Sequence, residues 1–380
     1  MNFTMLAVIV LAGLVGPALA LPQSWHVPVV VGELVMGITL GRTGLGYLNA
    51  SDPTFSFLAQ VGFGLVMFVA GTHVPVRDVS LRRSLGPGAA RAVLVGAGSA
   101  VLGALLASAF GTGHAALYAV LLASSSAALI LPIIDSLGLH GEKVVQLLPQ
   151  VAIADAVCIV ALPLAIDPAH AGRAGLGVLA VILAGCLIFL VLLALERNGY
   201  RHRLHHVSEE HHFAFELRIS LMILFSLSAI AVQSHVSVML AGFVFGLTLA
   251  AIGEPRRLAR QLFAMTDGFF SPLFFVWLGS SLDLRALGVR PSLILLGLLL
   301  GVGAMLSHAL TRFIGQPLSL SVLAAAQLGV PVAAATVGTS LHVLVPGESA
   351  ALVLGALVTI AAATIAGGSA ARRAQASPPG

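Results

Sequence analysis

Apolar residues in this chain come in blocks of about 17 to 25, the length that crosses about 30 Å of hydrocarbon at about 1.5 Å per residue. That single feature excludes an ordinary soluble fold. Of 380 residues, 58% are hydrophobic and 9% carry a charge, against roughly a quarter charged in a soluble domain. The chain therefore reads as an all-α polytopic membrane protein whose solvent is the lipid bilayer.

Thirteen blocks can be drawn. They are Phe3 to Ala20, Val29 to Leu45, Phe55 to Gly71, Ala92 to Phe110, Ala115 to Leu137, Val144 to Ile166 and Leu176 to Leu195, then Phe213 to Val232, Val236 to Ile252, Phe263 to Leu282, Leu293 to Ile314, Leu318 to Leu341 and Ala350 to Ala366. Basic residues test the count, because positive charge near helix ends collects on the cytoplasmic side. With the N-terminus outside and the C-terminus cytoplasmic, fifteen of the 19 Lys and Arg fall on inner loops or the tail, leaving Arg42, Arg173, Arg285 and Arg290 outside. One missed span would scramble that alternation. Ala18-Leu19-Ala20 resembles a signal-peptide cleavage site, but Met1-Asn2-Phe3 lacks the usual basic opening, so the first block is read as a retained helix. A bacterial-type inner membrane is the expected location.

Cys158 and Cys186 lie inside apolar blocks with no metal or redox spacing and read as packing residues. A formal charge of +4 resides in loops rather than in a basic domain, so nucleic acid is not expected as a partner. No phosphate loop, Ser-His-Asp set or zinc-helix motif occurs; neither an enzyme nor a cofactor is indicated.

Ionisable groups inside spans mark functional sites by default. Glu33, Asp135, Glu216, Asp267, His308 and Arg312 fall toward the cytoplasmic ends of their spans, where a side chain can snorkel or meet water. Asp155 differs. It is the midpoint of its block, within Val151-Ala152-Ile153-Ala154-Asp155-Ala156-Val157, too deep to snorkel. Such a carboxyl can trade a proton for a cation; the plainer alternative is a permanently protonated Asp bonded to a neighbouring helix.

Two other spans carry helix-disrupting sequence at that depth. The fifth reads Ala123-Ser124-Ser125-Ser126-Ala127 with Pro132 beyond, and the twelfth reads Gln327-Leu328-Gly329-Val330-Pro331. Breaks are expected at Ser126 and at Gly329 to Pro331, and unwound backbone at that depth is tolerated only in protein or around a cavity. Interrupted helices in corresponding positions of two halves point to inverted repeats with a midplane site.

With these features in place, the chain resembles the cation:proton antiporter superfamily, the sodium/hydrogen exchanger-like membrane domain, over nearly its whole length. The second span, Gly32-Glu33 through Gly37 to Leu40-Gly41, is similar to the family's Gly-Glu, Gly, Leu-Gly-Pro segment, with Arg42 in place of Pro. Phe68-Val69-Ala70-Gly71 resembles its Phe-x-Ala-Gly-x-Glu stretch, with His73 at the Glu position. Pro272-Leu273-Phe274-Phe275 and Gly279 match its Pro-x-Phe-Phe and Gly pattern. The resemblance implies two crossed discontinuous helices in a core domain, a second domain for homodimerisation, and an elevator-like movement between them. It places Asp155 on the ion- and proton-binding Asp, with Ser124 and Ser125 on the Thr-Ser pair of the first crossing helix. Gln327 and His308 are possible auxiliaries.

Several charges usual in the family are absent. Ala154 replaces Asn, Asp or Gln; Gly301-Val302-Gly303 occupies the place of a central Lys or Arg; Val330 replaces an acid. Asp155 is left as the one central carboxylate, which implies electroneutral exchange of one H⁺ for one Na⁺ or K⁺. A sensor or structural subunit without transport, or a sodium-coupled organic-anion carrier, are the alternatives. His202, His205, His206, His211 and His212 beside Glu209 and Glu210 could bind a metal or sense pH, though a solvated loop is the plainer reading. A short cytoplasmic tail, 367–380, is expected, with no nucleotide-binding domain.

Overall fold

The computed structural model describes residues 1–21, 29–74, 76–77, 79–198, 214–234, 236–253 and 256–376. The histidine-rich segment 202–212 lies outside the described residues, as do the side chains of Arg82, Arg83, Pro132, Asp135, Arg256, Arg257 and Arg260. Every regular element among the described residues is helical. In order these are α1 (Phe3–Gly13), α2 (Val15–Ala20), α3 (Val29–Leu40), α4 (Pro53–Thr72), α5 (Val79–Phe110), α6 (Ala115–Ala123), α7 (Ala127–Ser136), α8 (Glu142–Ile166) and α9 (Ala171–Arg197). There follow α10 (Phe215–Gln233), α11 (Val238–Ile252), α12 (Arg256–Met265), a π-helical turn Thr266–Phe270, α13 (Ser271–Ser281), α14 (Leu284–Val289), α15 (Pro291–Ala309), α16 (Leu318–Ala324), α17 (Gly329–Ser340) and α18 (Glu348–Ala376).

Ten stretches among the described residues are long and apolar enough to cross a membrane. The other three expected blocks hold shorter pieces: α3, α11 and the interrupted pair α6 and α7. Local signals set several helix ends. Asp52 caps α4, its carboxylate accepting from the Thr54 and Phe55 N–H groups at 2.9 and 3.0 Å, with Pro53 at the first helical position. Ser237 caps α11 in the same way.

Two ends depart from expectation. α5 begins well before Ala92, so Arg91 is a buried helix residue rather than a loop charge. Its guanidinium donates to the Gln146 carbonyl at 3.1 Å and to the Gln146 side-chain oxygen at 3.0 Å, tying α5 to α8. α18 continues through most of the expected tail, because Gly367 packs closely on Leu137 and Ile133 and Ala370 and Ala371 join the same apolar cluster.

The helices form two bundles. One contains α1 to α4 and α10 to α13, the other α5 to α8 and α15 to α18, and α9 packs on α8, α10 and α11. In the first bundle, two helix pairs touch backbone to backbone. A methyl on Gly246 of α11 would stand 2.9 Å from the Gly71 Cα of α4, and one on Gly37 of α3 would stand 2.9 Å from the Gly279 Cα of α13. Small residues let helices approach this closely in lipid, where packing replaces the hydrophobic drive. Phe63 stacks on Phe274 with centroids 4.7 Å apart and joins the two pairs. If spans one to six repeat as spans eight to thirteen, α3 corresponds to α11 and α4 to α13, so each clamp maps onto the other.

Gly246→Ala should therefore push α4 and α11 apart and cost about 1–3 kcal/mol, seen as a lower unfolding temperature in detergent. Gly64→Ala, whose added methyl meets only the Ser228 hydroxyl at 4.0 Å, should be neutral.

Candidate functional site

The second bundle holds both interruptions. α6 ends at Ala123 and α7 starts at Ala127, leaving Ser124–Ser126 non-helical. The second break falls at Ala325 to Leu328, slightly ahead of the expected place, and Gly329 and Pro331 form the first turn of α17. A cross-bond between the two breaks accounts for the position: the Ser126 N–H donates to the Ala326 carbonyl at 2.8 Å.

Two more bonds stitch the breaks together. The Ser125 hydroxyl donates to the Ala324 carbonyl at 2.6 Å, satisfying an orphan at the end of α16. The Ser124 hydroxyl, fully buried, lies against both the Leu121 carbonyl and the Gln327 side-chain oxygen. Ser124, Ser125, Ser126 and Gln327 thus form one polar node inside an apolar bundle.

Asp155 of α8 joins this node. It is 5% exposed, and its Oδ2 accepts the Ala127 N–H at 3.1 Å. Ala127 opens α7, so the carboxylate faces the positive end of a half-helix, where a negative charge is favoured. The other repeat offers a counterpart: the Gln327 N–H, at the entrance to α17, points to the Thr359 hydroxyl of α18 at 3.4 Å. A carboxylate thus stands at one half-helix and a hydroxyl at the other, so that among the described residues Asp155 is the acid bonded to the crossing. Thr359 escaped the sequence reading because a lone Thr in an apolar helix commonly bonds its own backbone, and this one also reaches the Ala356 carbonyl at 2.7 Å.

Two side chains sit deeper than their sequence positions implied. His308 was expected near water at a helix end; it is 0% exposed, beside the Ser124 backbone, with neither ring nitrogen in a well-formed hydrogen bond among the described residues. Gly303, one and a half turns earlier on α15, packs on Leu122 of α6 and brings the ring to the break. Glu33 is 2% exposed, its stem against Gly16 of α2, and its Oε2 has no hydrogen-bond partner among the described residues. Packing of the short α2 across α3 shuts out the water that a helix end would otherwise meet.

A further polar group had no sequence signal beyond an acid at a helix start. Glu348, fully buried at the first turn of α18, accepts from His114 Nδ1 at 2.7 Å, the Tyr118 hydroxyl at 2.7 Å and the Val345 N–H at 2.9 Å.

A cavity of about 880 Å³ opens between the bundles at the face that carries Ser51 and Ser349. Along α4 its wall includes Ser56, Gln60 and Phe63. One turn further, the Met67 thioether closes on the second break: a methyl on Gly329 would meet its Cε at 3.2 Å.

Crossed, mutually bonded half-helices with a buried carboxylate at one helix start define a protein of the inverted-repeat secondary-transporter class. More particularly, the chain belongs to the sodium/hydrogen exchanger transmembrane family, which it matches over residues 6–372. Among its relatives, YjbQ of Bacillus subtilis is 23% identical over 377 residues, and a Methanocaldococcus jannaschii protein is 26% identical over 307 residues; both carry provisional names as Na⁺/H⁺ antiporters. The matches cover 93% and 79% of this chain, and the chain spans 60% of the length of YjbQ and 76% of the archaeal protein. Its fold is similar to that of the sodium proton antiporter MjNhaP1 from Methanocaldococcus jannaschii, solved at pH 8, with a TM-score of 0.68, 17% identity, and coverage of 99% of this chain and 100% of that one.

Proposed function

We propose that this protein is a secondary antiporter exchanging H⁺ for a monovalent cation, Na⁺ or K⁺, at Asp155. One observation carries the reading: a buried carboxylate accepts the first N–H of a half-helix at the crossing of two interrupted helices. A carboxylate there can be neutralised by a proton or by a cation, and by one of them at a time. Because Thr359 stands at the corresponding place of the other repeat, exchange is one for one and electroneutral. Family membership and the names of the relatives support cation/proton exchange as the activity, with Ser124, Ser125 and Gln327 shaping the site and His308 facing the carbonyl end of α6. The protein crosses the membrane thirteen times, N-terminus out, and works as a homodimer.

The test is proton flux in proteoliposomes containing the purified protein, driven by an imposed Na⁺ or K⁺ gradient. Cation-dependent flux that a clamped membrane potential leaves unchanged is expected. A flux that scales with the potential would refute the one-for-one ratio. Absence of flux with either cation would favour a sensor or structural subunit of the same fold.

A further inference from the structure

The cavity between the bundles has a mixed polar and apolar wall, and among its described lining residues there is no carboxylate. Among the described lining residues Arg42 is the one with an ionisable side chain, and its guanidinium lies 3.4 Å from the Asp283 carboxylate. What the wall presents instead is hydroxyl groups from both bundles. Thr336 and Thr339 line it from α17, Ser280 and Ser281 from α13.

The protons of these hydroxyls are all committed. Thr336 donates to the Val332 carbonyl at 2.8 Å and Thr339 to Ala335 at 2.6 Å, while Ser280 donates to Trp277 and Ser281 to Leu278, each at 2.7 Å. A hydroxyl has one proton and two lone pairs. With the proton spent on its own helix, it has only acceptor capacity left for the cavity. These four groups receive hydrogen bonds and cations but offer no donor of their own to an anion, unlike Arg42, Asn49 and Gln60 elsewhere on the wall.

We propose that this hydroxyl wall is a cation antechamber, where an incoming monovalent cation exchanges part of its hydration shell for the oxygens of Thr336, Thr339, Ser280 and Ser281 before reaching Asp155. The proposal rests on the antiporter reading and adds to it a site on the cation's route. The four hydroxyls carry no charge and do not hold the ion tightly; they admit it by dehydration, and their lone pairs repel an anion at this part of the wall.

Trp277 lies in the same wall, and the chain has two tryptophans, so a Trp25→Phe protein reports from this cavity alone. Thallium(I), a quenching monovalent cation, should quench its fluorescence, and iodide should not. Thr336→Val with Thr339→Val keeps the side-chain shape and removes both oxygens; it should lower the thallium quenching constant at least about twofold and raise the KM for the transported cation roughly fivefold. Thr336→Ser with Thr339→Ser should restore both, which a purely structural role would not require. Quenching by iodide equal to that by thallium, or thallium quenching unaffected by the valines, would overturn the antechamber. Thallium quenching that responds as expected, in a wild-type protein without cation-driven proton flux, would leave the antechamber standing and remove the antiporter reading.

Discussion

Asp155→Asn should reduce cation-driven proton flux to the level of protein-free liposomes while leaving the protein as stable as the wild type, or more so. An amide oxygen can still accept the Ala127 N–H that now meets Oδ2 at 3.1 Å, so the half-helix start keeps its partner. What disappears is a group able to alternate between proton and cation. Stability should not fall, because an ionised carboxylate buried without a full set of partners costs more free energy than an amide in the same place. Flux measured beside thermal unfolding separates the two effects. Flux retained in the folded Asn protein would place the exchanging group elsewhere. Asp155→Glu keeps the charge but adds a methylene to a packed site, at a cost of about 1–3 kcal/mol, and should give a slow exchanger rather than a dead one.

The second large effect concerns folding. Glu348→Gln should destabilise the protein by about 3 kcal/mol, even though the shape is preserved. The wild-type carboxylate takes three donors, His114, Tyr118 and the Val345 N–H. An amide has one acceptor oxygen, so its NH₂ must confront a donor at the other position. The same cluster gives stability a pH dependence of definite sign. The hydrogen bond to Glu348 raises the pKa of His114 above its ordinary value, with the Val343 backbone adding to the shift against the opposing effect of burial. A raised folded-state pKa contributes stability that is fully present below the unfolded value, about 6.5, and lost as pH rises through the folded value. The unfolding temperature should thus decline across that interval, and His114→Gln should flatten the slope. A slope that persists in His114→Gln would assign it to another group.

Legibility in the sequence differed from one residue to the next for physical reasons. The apolar blocks announced their helices because lipid demands a fixed length, and the Ser124–Ser126 run announced its break because serines compete for backbone bonds. The second break gave a displaced signal: Gly329 and Pro331 were conspicuous, yet the chain unwinds over Ala325 to Leu328, good helix formers held open by Ser126 across the bundle. Glu33 and His308 were assigned to watery helix ends from their distance along a span. That rule takes spans to be straight and separate, whereas α2 folds over α3 and α15 leans on the α6 break. The Glu348 cluster joins residues more than two hundred positions apart, a pairing that no local pattern encodes.

The bonds of the crossing have a mechanical consequence. Ser124 to Gln327, Ser125 to Ala324, Ser126 to Ala326 and Asp155 to Ala127 all close within the second bundle. Toward the first bundle, the break meets the Met67 thioether, a contact without directional preference. Sliding the second bundle past the glycine-clamped first would carry the carboxylate along without rupturing any of these bonds. If the second bundle moves in transport, its carboxylate and both breaks would travel as one piece, as a piston does in its sleeve.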